Sequence, residues 1–279
     1  MVKIFVVTQE EPFYIPKVIR YIIENSGKKY EILGYTCLPP QRKNRTFKDW
    51  FFERTRIYDY RELFIVGLLF VYCNLQKRII AKVTGKNFYS VAKTFKEFGL
   101  KAIETNDINS SSYLSRLKNL NADIIISISC PQLFGKELLA VPKKYCLNVH
   151  GTLLPRHRGV FGSWWTIFLD DKEAGATIHT MELKLDAGNI LWQQEFEVEK
   201  EETQYSIANK TKRMMAIGLV EILNKNAKNE LQSISSKYQQ SYHKAPTKEE
   251  GKEFHRKGMR IIKPGDIKNV LRNSFNFTQ

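Results

Sequence analysis

Cysteine is scarce and scattered. The four residues Cys37, Cys73, Cys130 and Cys146 form no C-x-x-C pair, a spacing that fits neither a disulfide framework nor a thiolate zinc site. The five histidines are dispersed and lack ligand spacing, so no metal is expected. No apolar run reaches the roughly 20 residues that a membrane span needs. The strongest, Leu63 to Cys73, reads as a buried helix. The N-terminus, MVKIFVVT, is a short apolar strand, without the charged segment and long apolar stretch of a secretory leader. These absences point to a reduced, cytoplasmic protein with no membrane contact. Internal repeats and low-complexity tracts are missing too. Acidic residues are also few, 29 against 44 Lys+Arg, for a net charge of +15. That excess favours polyanions, whether nucleic acid or small substrates carrying phosphates and carboxylates. Because the basic residues are spread along the whole chain, a solvated soluble surface explains them equally well. The local run Gln41–Arg45 is short and carries no RNA-binding signature.

What is present is enough for a substantial core: 43% hydrophobic and 12% aromatic residues in 279. Strand-like and helix-like pieces alternate through the first two-thirds. Lys3–Thr8 is a β-branched strand, and Pro16–Asn25 opens on a proline suited to a first helical turn. Glu31–Thr36 is a second strand and Asp59–Lys77 a long apolar helix. Ser111–Asn119 is a short amphipathic helix, and Asp123–Ile128 a strand buried on both faces. Phe134–Leu139 is a helical turn and Tyr145–Val149 another strand. Such alternation predicts an α/β fold with a mainly parallel sheet. Beyond Gly159 the pattern gives a helix at Ser163–Leu169, strands at Ala176–Glu182 and Ile190–Val198, and a helix at Thr203–Asn224. Asn224–Lys237 reads as a polar surface connection and Pro246–Lys257 as a helix capped by Thr247 with Glu250 three residues on. Residues 1–204 are therefore expected to form the core, and residues 205–279 a short helical and irregular C-terminal extension.

The chemistry concentrates in NVHGTLLPRHRG, Asn148 to Gly159, and in LDAGNI, Leu185 to Ile190. Asn148 and His150 are two apart at a strand end, so their side chains share one face. In open α/β sheets ligands gather beyond the carboxyl ends of strands. An amide and an imidazole side by side there can stabilise and protonate an oxyanion. Alone, Asn-x-His is as readily a hydrogen-bonded pair that pins a loop, and Asp186 before Ala-Gly as readily a turn former. If the Asp186 turn folds over the same strand end, its carboxylate orients the imidazole and favours the charged form. No serine or cysteine nucleophile accompanies the three, which suits direct group transfer better than a covalent acyl-enzyme.

The combination resembles the folate-dependent formyltransferases, a family with a Rossmann-like core. The matching pieces are ADIIISISCPQLF, the NVHGTLLPRHRG loop and GATIHTMELKLDAGNI, over about residues 95–200, with weaker similarity from residue 1. The resemblance implies 10-formyltetrahydrofolate as formyl donor and no metal. It implies Asn148, His150 and Asp186 as catalytic residues. The pterin would lie against the loops holding Gln132, Leu133 and Phe134 and holding Leu183, Lys184 and Leu185.

The acceptor amine is chosen among subfamilies. Methionyl-tRNA formyltransferases would account for the basic charge, but they carry a β-barrel-like C-terminal domain for which the residues after 204 have too few strand signals. Glycinamide ribonucleotide transformylases carry a Ser/Gly-rich phosphate loop where this chain has Thr8-Gln9-Glu10-Glu11-Pro12-Phe13-Tyr14-Ile15-Pro16. The Pro-Phe-Tyr-Ile-Pro start, the aromatic insertion Trp50–Tyr60 and the segment SYHKAPTKEEGKEFHRKG are similar to sugar N-formyltransferases. The resemblance thus favours a nucleotide-linked 4-amino-4,6-dideoxy sugar, specifically a UDP-sugar of a pseudaminic-acid-type pathway, serving glycan biosynthesis. Arg156, Arg158, Gln9 and Tyr14 are the expected substrate contacts. Transfer RNA is disfavoured, and homodimerisation is left open. A formyltetrahydrofolate hydrolase and a non-catalytic RNA-binding protein on the same fold are the competing readings.

Overall fold

The computed structural model describes residues 1–27, 29–41, 46–84, 88–227 and 231–271. The basic run at 42–45 and the polar tail at 272–279 lie outside the described residues.

In chain order the elements are β1 (Val2–Gln9), α1 (Ile15–Glu24), β2 (Tyr30–Leu38), α2 (Phe47–Thr55), α3 (Tyr60–Thr84), α4 (Val91–Glu97), α5 (Ser111–Asn119), β3 (Ile124–Ile128) and α6 (Lys136–Leu139). Then follow β4 (Tyr145–His150), β5 (Arg158–Gly159), α7 (Gly162–Phe168), β6 (Glu173–Thr180), β7 (Ile190–Glu197), α8 (Gln204–Ala227), β8 (Tyr242–His243), α9 (Lys248–Arg256) and α10 (Pro264–Leu271). One sheet runs in the order β2-β1-β3-β4-β6-β7. Its first four strands are parallel, while β6 and β7 join antiparallel. The fold is the α/β architecture with a mainly parallel sheet that the alternating pattern predicts.

The dense β-branched strands are explained by burial on both faces. Ile4, Val6, Ile124, Ile126, Ile128 and Val149 face one apolar cluster with α1 and α8. Phe5, Val7, Ile125 and Cys146 face a second, filled by Leu114 and Leu117 of α5 and Leu138 of α6. Period-2 alternation sends neighbours to opposite faces, and both faces here need apolar residues.

Helix α8 belongs to the first cluster. Met215, Ala216, Leu219, Ile222 and Leu223 are buried against the sheet, so the segment after 204 begins as a layer of the core. Downstream, Tyr242–His243 pair parallel with Arg158–Gly159. The α9 cap is as the sequence predicts, with Thr247 and Glu250 side chains exchanging bonds with each other's backbone N–H. The short helices α4 and α10 carry no sequence expectation, and α2 overlaps the aromatic insertion Trp50–Tyr60.

The Leu63–Cys73 expectation fails. Helix α3 buries Glu62, Leu69 and Cys73, but Phe64, Leu68, Val71, Leu75 and Ile79 are exposed. A helix apolar around most of its circumference is read from sequence as enclosed. Here only one stripe packs on the body.

Two acidic residues just after or within the first βα connection close helix ends. The Glu11 carboxylate accepts the backbone N–H groups of Phe13, Tyr14 and Ile15 at 2.6, 2.9 and 3.0 Å. Glu10 accepts those of Val91 and Ala92 at the start of α4, both at 3.2 Å. Unsatisfied N–H groups at helix starts attract anions, and at these two the anion is the protein's own.

Candidate active site

The parallel part of the sheet ends its strands on one side, and β4 carries Asn148 and His150 to that edge. In the ladder Asn148 lies beside Ser127 of β3 and opposite His179 of β6; His150 lies opposite Thr177. Residues directly opposite in an antiparallel pair share a face. The switch from parallel to antiparallel at β4 and β6 therefore adds His179 to the Asn148–His150 face.

His179 is 2% exposed. Its Nδ1 lies 2.7 Å from the Thr180 carbonyl oxygen, an acceptor, so Nδ1 carries the proton and donates it. Nε2 is then an acceptor, and the Asn148 Nδ2 amide donates to it at 3.1 Å. Burial first, then the neighbouring His150, lowers the His179 pKa to about 4, opposed by Asp186. Its ring is neutral at pH 7, which keeps Nε2 free to accept. This bond turns the –NH2 group of Asn148 toward His179 and leaves its second N–H for another partner.

His150 donates from Nε2 to the His157 carbonyl oxygen at 3.1 Å. Its Nδ1 lies 3.7 Å from Asp186 Oδ1, and His179 Nε2 lies 3.8 Å from the same oxygen. These are ion-pair separations rather than hydrogen bonds. The structure thus brings Asn148, His150 and Asp186 together, and one carboxylate oxygen faces both imidazoles.

Asp186 sits in the β6–β7 connection at φ 50°, a left-handed conformation that Asp tolerates better than most residues. Three contacts fix it. The backbone N–H of Gly159 donates to Oδ2 at 2.9 Å. The Arg158 guanidinium donates to the Leu185 carbonyl, from Nε at 3.0 Å and from a terminal nitrogen. The connection also closes tightly on Thr180: Asn189 N–H donates to Thr180 Oγ1 at 2.9 Å, and a Cβ at Gly188 would meet the Thr180 carbonyl oxygen at 1.8 Å.

The expected substrate contacts are largely engaged inside the protein. Arg158 is buried and braces the Asp186 loop. Arg156 donates to the Glu173 carbonyl and covers the Tyr238 ring at 4.5 Å. Tyr14 is buried, with its hydroxyl donating to the Tyr205 carbonyl at 3.3 Å. Gln9 closes β1, half-buried, at the carboxyl end of the strand. None of these uses is legible from a single sequence, because each partner is remote along the chain.

Of the expected pterin contacts, Leu133 and Leu183 are 71% and 69% exposed, the two most exposed leucines among the described residues. Leu185 and Lys184 are exposed beside them in sequence. Phe134 is instead a core residue of the second cluster. Gln132 binds inward: its side chain accepts from Ile108 N–H at 3.1 Å and donates to the Asn106 carbonyl at 2.8 Å. Both loops root in that cluster, through Phe134 and Cys130 on one side and Met181 on the other.

Sequence reasoning missed His179. Two-residue alternation in Ala176–Glu182 places it on one face with Thr177, but only the antiparallel pairing with β4 shows that this face is the one Asn148 uses. Elsewhere Asp59, Glu62 and His255 bring three potential metal-ligand atoms within 4.8 Å. They are already joined to the fold: Glu62 accepts from Asp59 and Ile261 N–H, and His255 Nε2 donates to the Ile57 carbonyl.

The chain is 33% identical over 139 residues to the methionyl-tRNA formyltransferase of Borrelia garinii subspecies bavariensis, covering 50% of this chain and 42% of that protein. The aligned part thus spans less than half the length of this relative. A sugar N-formyltransferase structure from a Shewanella species superposes with a TM-score of 0.57 at 17% identity, over 100% of this chain and 90% of that one. An N-formyltransferase from Helicobacter canadensis, solved with folinic acid and dTDP-3-aminofucose, gives 0.55 at 17% identity, over 87% and 71%. At these identities the two structures share the fold. The family model described as formyl transferase matches residues 66–223, more than half of the chain and all of the Asn148, His150, His179 and Asp186 cluster, and the chain belongs to that family.

Proposed function

We propose that the protein transfers the formyl group of 10-formyltetrahydrofolate to the amino group of a nucleotide-linked amino sugar, a 4-amino-4,6-dideoxy sugar by our reading. The observation that carries the reaction is the convergence of an oriented amide, a carboxylate and two imidazoles on one strand end. The nearby hydroxyls of Thr152 and Thr177 donate to backbone carbonyls instead, in keeping with direct transfer.

In the proposed step the acceptor amine attacks the formyl carbon, the new C–N bond forms, and the carbonyl becomes an oxyanion. Asn148, with one N–H held by His179, offers the other to that oxyanion. His150, protonated, supplies positive charge, and Asp186 holds it and takes up the proton released by the attacking amine. Collapse breaks the bond to the folate nitrogen, which leaves with a proton. The exposed Leu133 and Leu183 offer an apolar surface for the flat pterin.

A nucleotide sugar is supported by the full-length superposition on a sugar N-formyltransferase and by the dTDP-3-aminofucose that the Helicobacter protein was solved with. The methionyl-tRNA relatives favour a second reading, with charged tRNA as acceptor. One assay separates them. The protein is given 10-formyltetrahydrofolate with UDP-, dTDP- and GDP-linked amino sugars, with methionyl-tRNA, or with no acceptor. Formylated amino sugar is the expected product; formylated tRNA would replace the sugar reading, and tetrahydrofolate release without acceptor would indicate hydrolysis.

A further inference from the structure

Helix α3 presents an apolar face that no other part of the described residues covers. Phe64, Leu68, Val71, Leu75 and Ile79 are each more than half exposed. Their spacing of four, three, four and four residues aligns them on one side of a helix, a stripe about 22 Å long at 1.5 Å per residue. Tyr60 and Val83 extend it, and Phe51 and Phe52 of the neighbouring α2 in sequence are exposed as well. The opposite side, Glu62, Leu69 and Cys73, is packed on the body. An exposed apolar surface of this extent marks a docking site.

Charge decides the occupant. Exposed cations lie toward both ends of the stripe, Arg61 at its start and Arg78 near its end. The whole chain carries +15. A second copy is the poorer match. Antiparallel pairing that lays the stripe on itself brings Arg61 of one copy within about 6 Å, along the helix axis, of Arg78 of the other, and parallel pairing sets each arginine beside its counterpart. Both bring like charges together between two strongly cationic bodies. An anionic lipid surface takes the apolar stripe into its acyl boundary and the arginines among its headgroups. No helix of the described residues is long and apolar enough to cross a membrane, and α3 is fixed to the body along one side, so it would lie in the surface plane.

We infer that α3 is a peripheral membrane-docking face that binds anionic bilayers through Phe64, Leu68, Val71, Leu75 and Ile79, with Arg61 and Arg78 as headgroup contacts. This inference does not depend on the formyl acceptor. Its test is co-sedimentation of the full chain with phosphatidylcholine vesicles and with mixed phosphatidylcholine–phosphatidylglycerol vesicles. Binding to the mixed vesicles should exceed that to neutral ones by about tenfold or more and weaken with salt. The variant pair Phe64→Asp with Leu68→Asp should abolish it, and Arg61→Glu with Arg78→Glu should reduce it about tenfold, each with an unchanged circular-dichroism melting curve. Absence of binding to mixed vesicles, or equal binding by the Asp pair, would overturn the inference. So would a dimer in light scattering that Leu68→Asp converts to monomer while vesicle binding stays absent, which would assign the face to a second copy.

Discussion

The side-chain amide of Asn148 and the imidazole of His179 are joined by a 3.1 Å hydrogen bond across the antiparallel junction of β4 and β6. The histidine's tautomer is set one residue further on, at the Thr180 carbonyl. A backbone group thereby dictates which end of the amide faces His179. In the proposed reaction Asn148 meets the oxyanion already oriented.

His179 is thus a positioning residue, and its removal should act through Asn148. His179→Ala is expected to lower kcat about tenfold, the magnitude of one buried hydrogen bond, with KM for the folate little changed. His179→Gln, whose carbonyl can accept from the Asn148 amide, should recover part of the loss. Steady-state kinetics on the two variants checks the order.

Asn148→Ala removes the donor itself. Loss of an oxyanion donor raises a barrier by roughly 2.7–4 kcal/mol, so kcat should fall about 100- to 1000-fold, and His150→Ala should fall at least as far. Thermal unfolding should change far less than turnover, by about the 0.5–1.5 kcal/mol of one hydrogen bond, to His179 or to the His157 carbonyl. Wild-type turnover in either variant would remove the pair from the mechanism.

Acid should weaken the fold through His179. Its pKa is lowered from 6.5 to about 4, chiefly by burial, so between these values the unfolded chain binds the proton more readily. The contribution is complete above about pH 6.5 and is lost as pH falls toward 4. Urea midpoints measured across that window should decline, and less steeply in His179→Gln.

Arg158 holds the Asp186 turn by its bonds to the Leu185 carbonyl. Arg158→Met keeps much of the volume and loses the donors, leaving that carbonyl short of partners. Stability should drop by about 1.5–3 kcal/mol, and kcat should fall along with it as Asp186 loosens. A variant with unaltered kcat would show that the brace is structural only.

Gly188→Ala tests the closure of the same loop. Its Cβ would fall 1.8 Å from the Thr180 carbonyl oxygen, a distance no side-chain rotation relieves. A loss of more than about 2 kcal/mol is expected, read as a lower melting temperature.

Strand periodicity and the Asn-x-His and Leu-Asp-Ala-Gly segments made much of the sheet and the cluster readable in the sequence. Local patterns say which faces are apolar, and the Thr247 cap lies within one helical turn. What escaped were relationships between distant segments. His179 depends on an antiparallel neighbour, and Arg158 looks like a surface charge until Leu185 is seen above it. Tyr14 resembles a substrate contact until Tyr205 is found packed against it, with ring centroids 6.0 Å apart. Helix α3 misled for a different reason: hydrophobicity reports that a face avoids water, without saying whether the protein covers it.

The pairing of Arg158–Gly159 with Tyr242–His243 also bears on the order of assembly. During synthesis the ribosome releases Asn148, His150, His179 and Asp186 well before residue 242. At that moment the sheet is able to form, but the Arg158–Gly159 strip behind the proposed centre still lacks its ladder partner β8. Ser241, whose hydroxyl takes the His157 N–H at 2.8 Å, is still missing as well. The last contacts behind the proposed centre thus come from a segment that supplies none of the side chains in the Asn148, His150, His179 and Asp186 cluster.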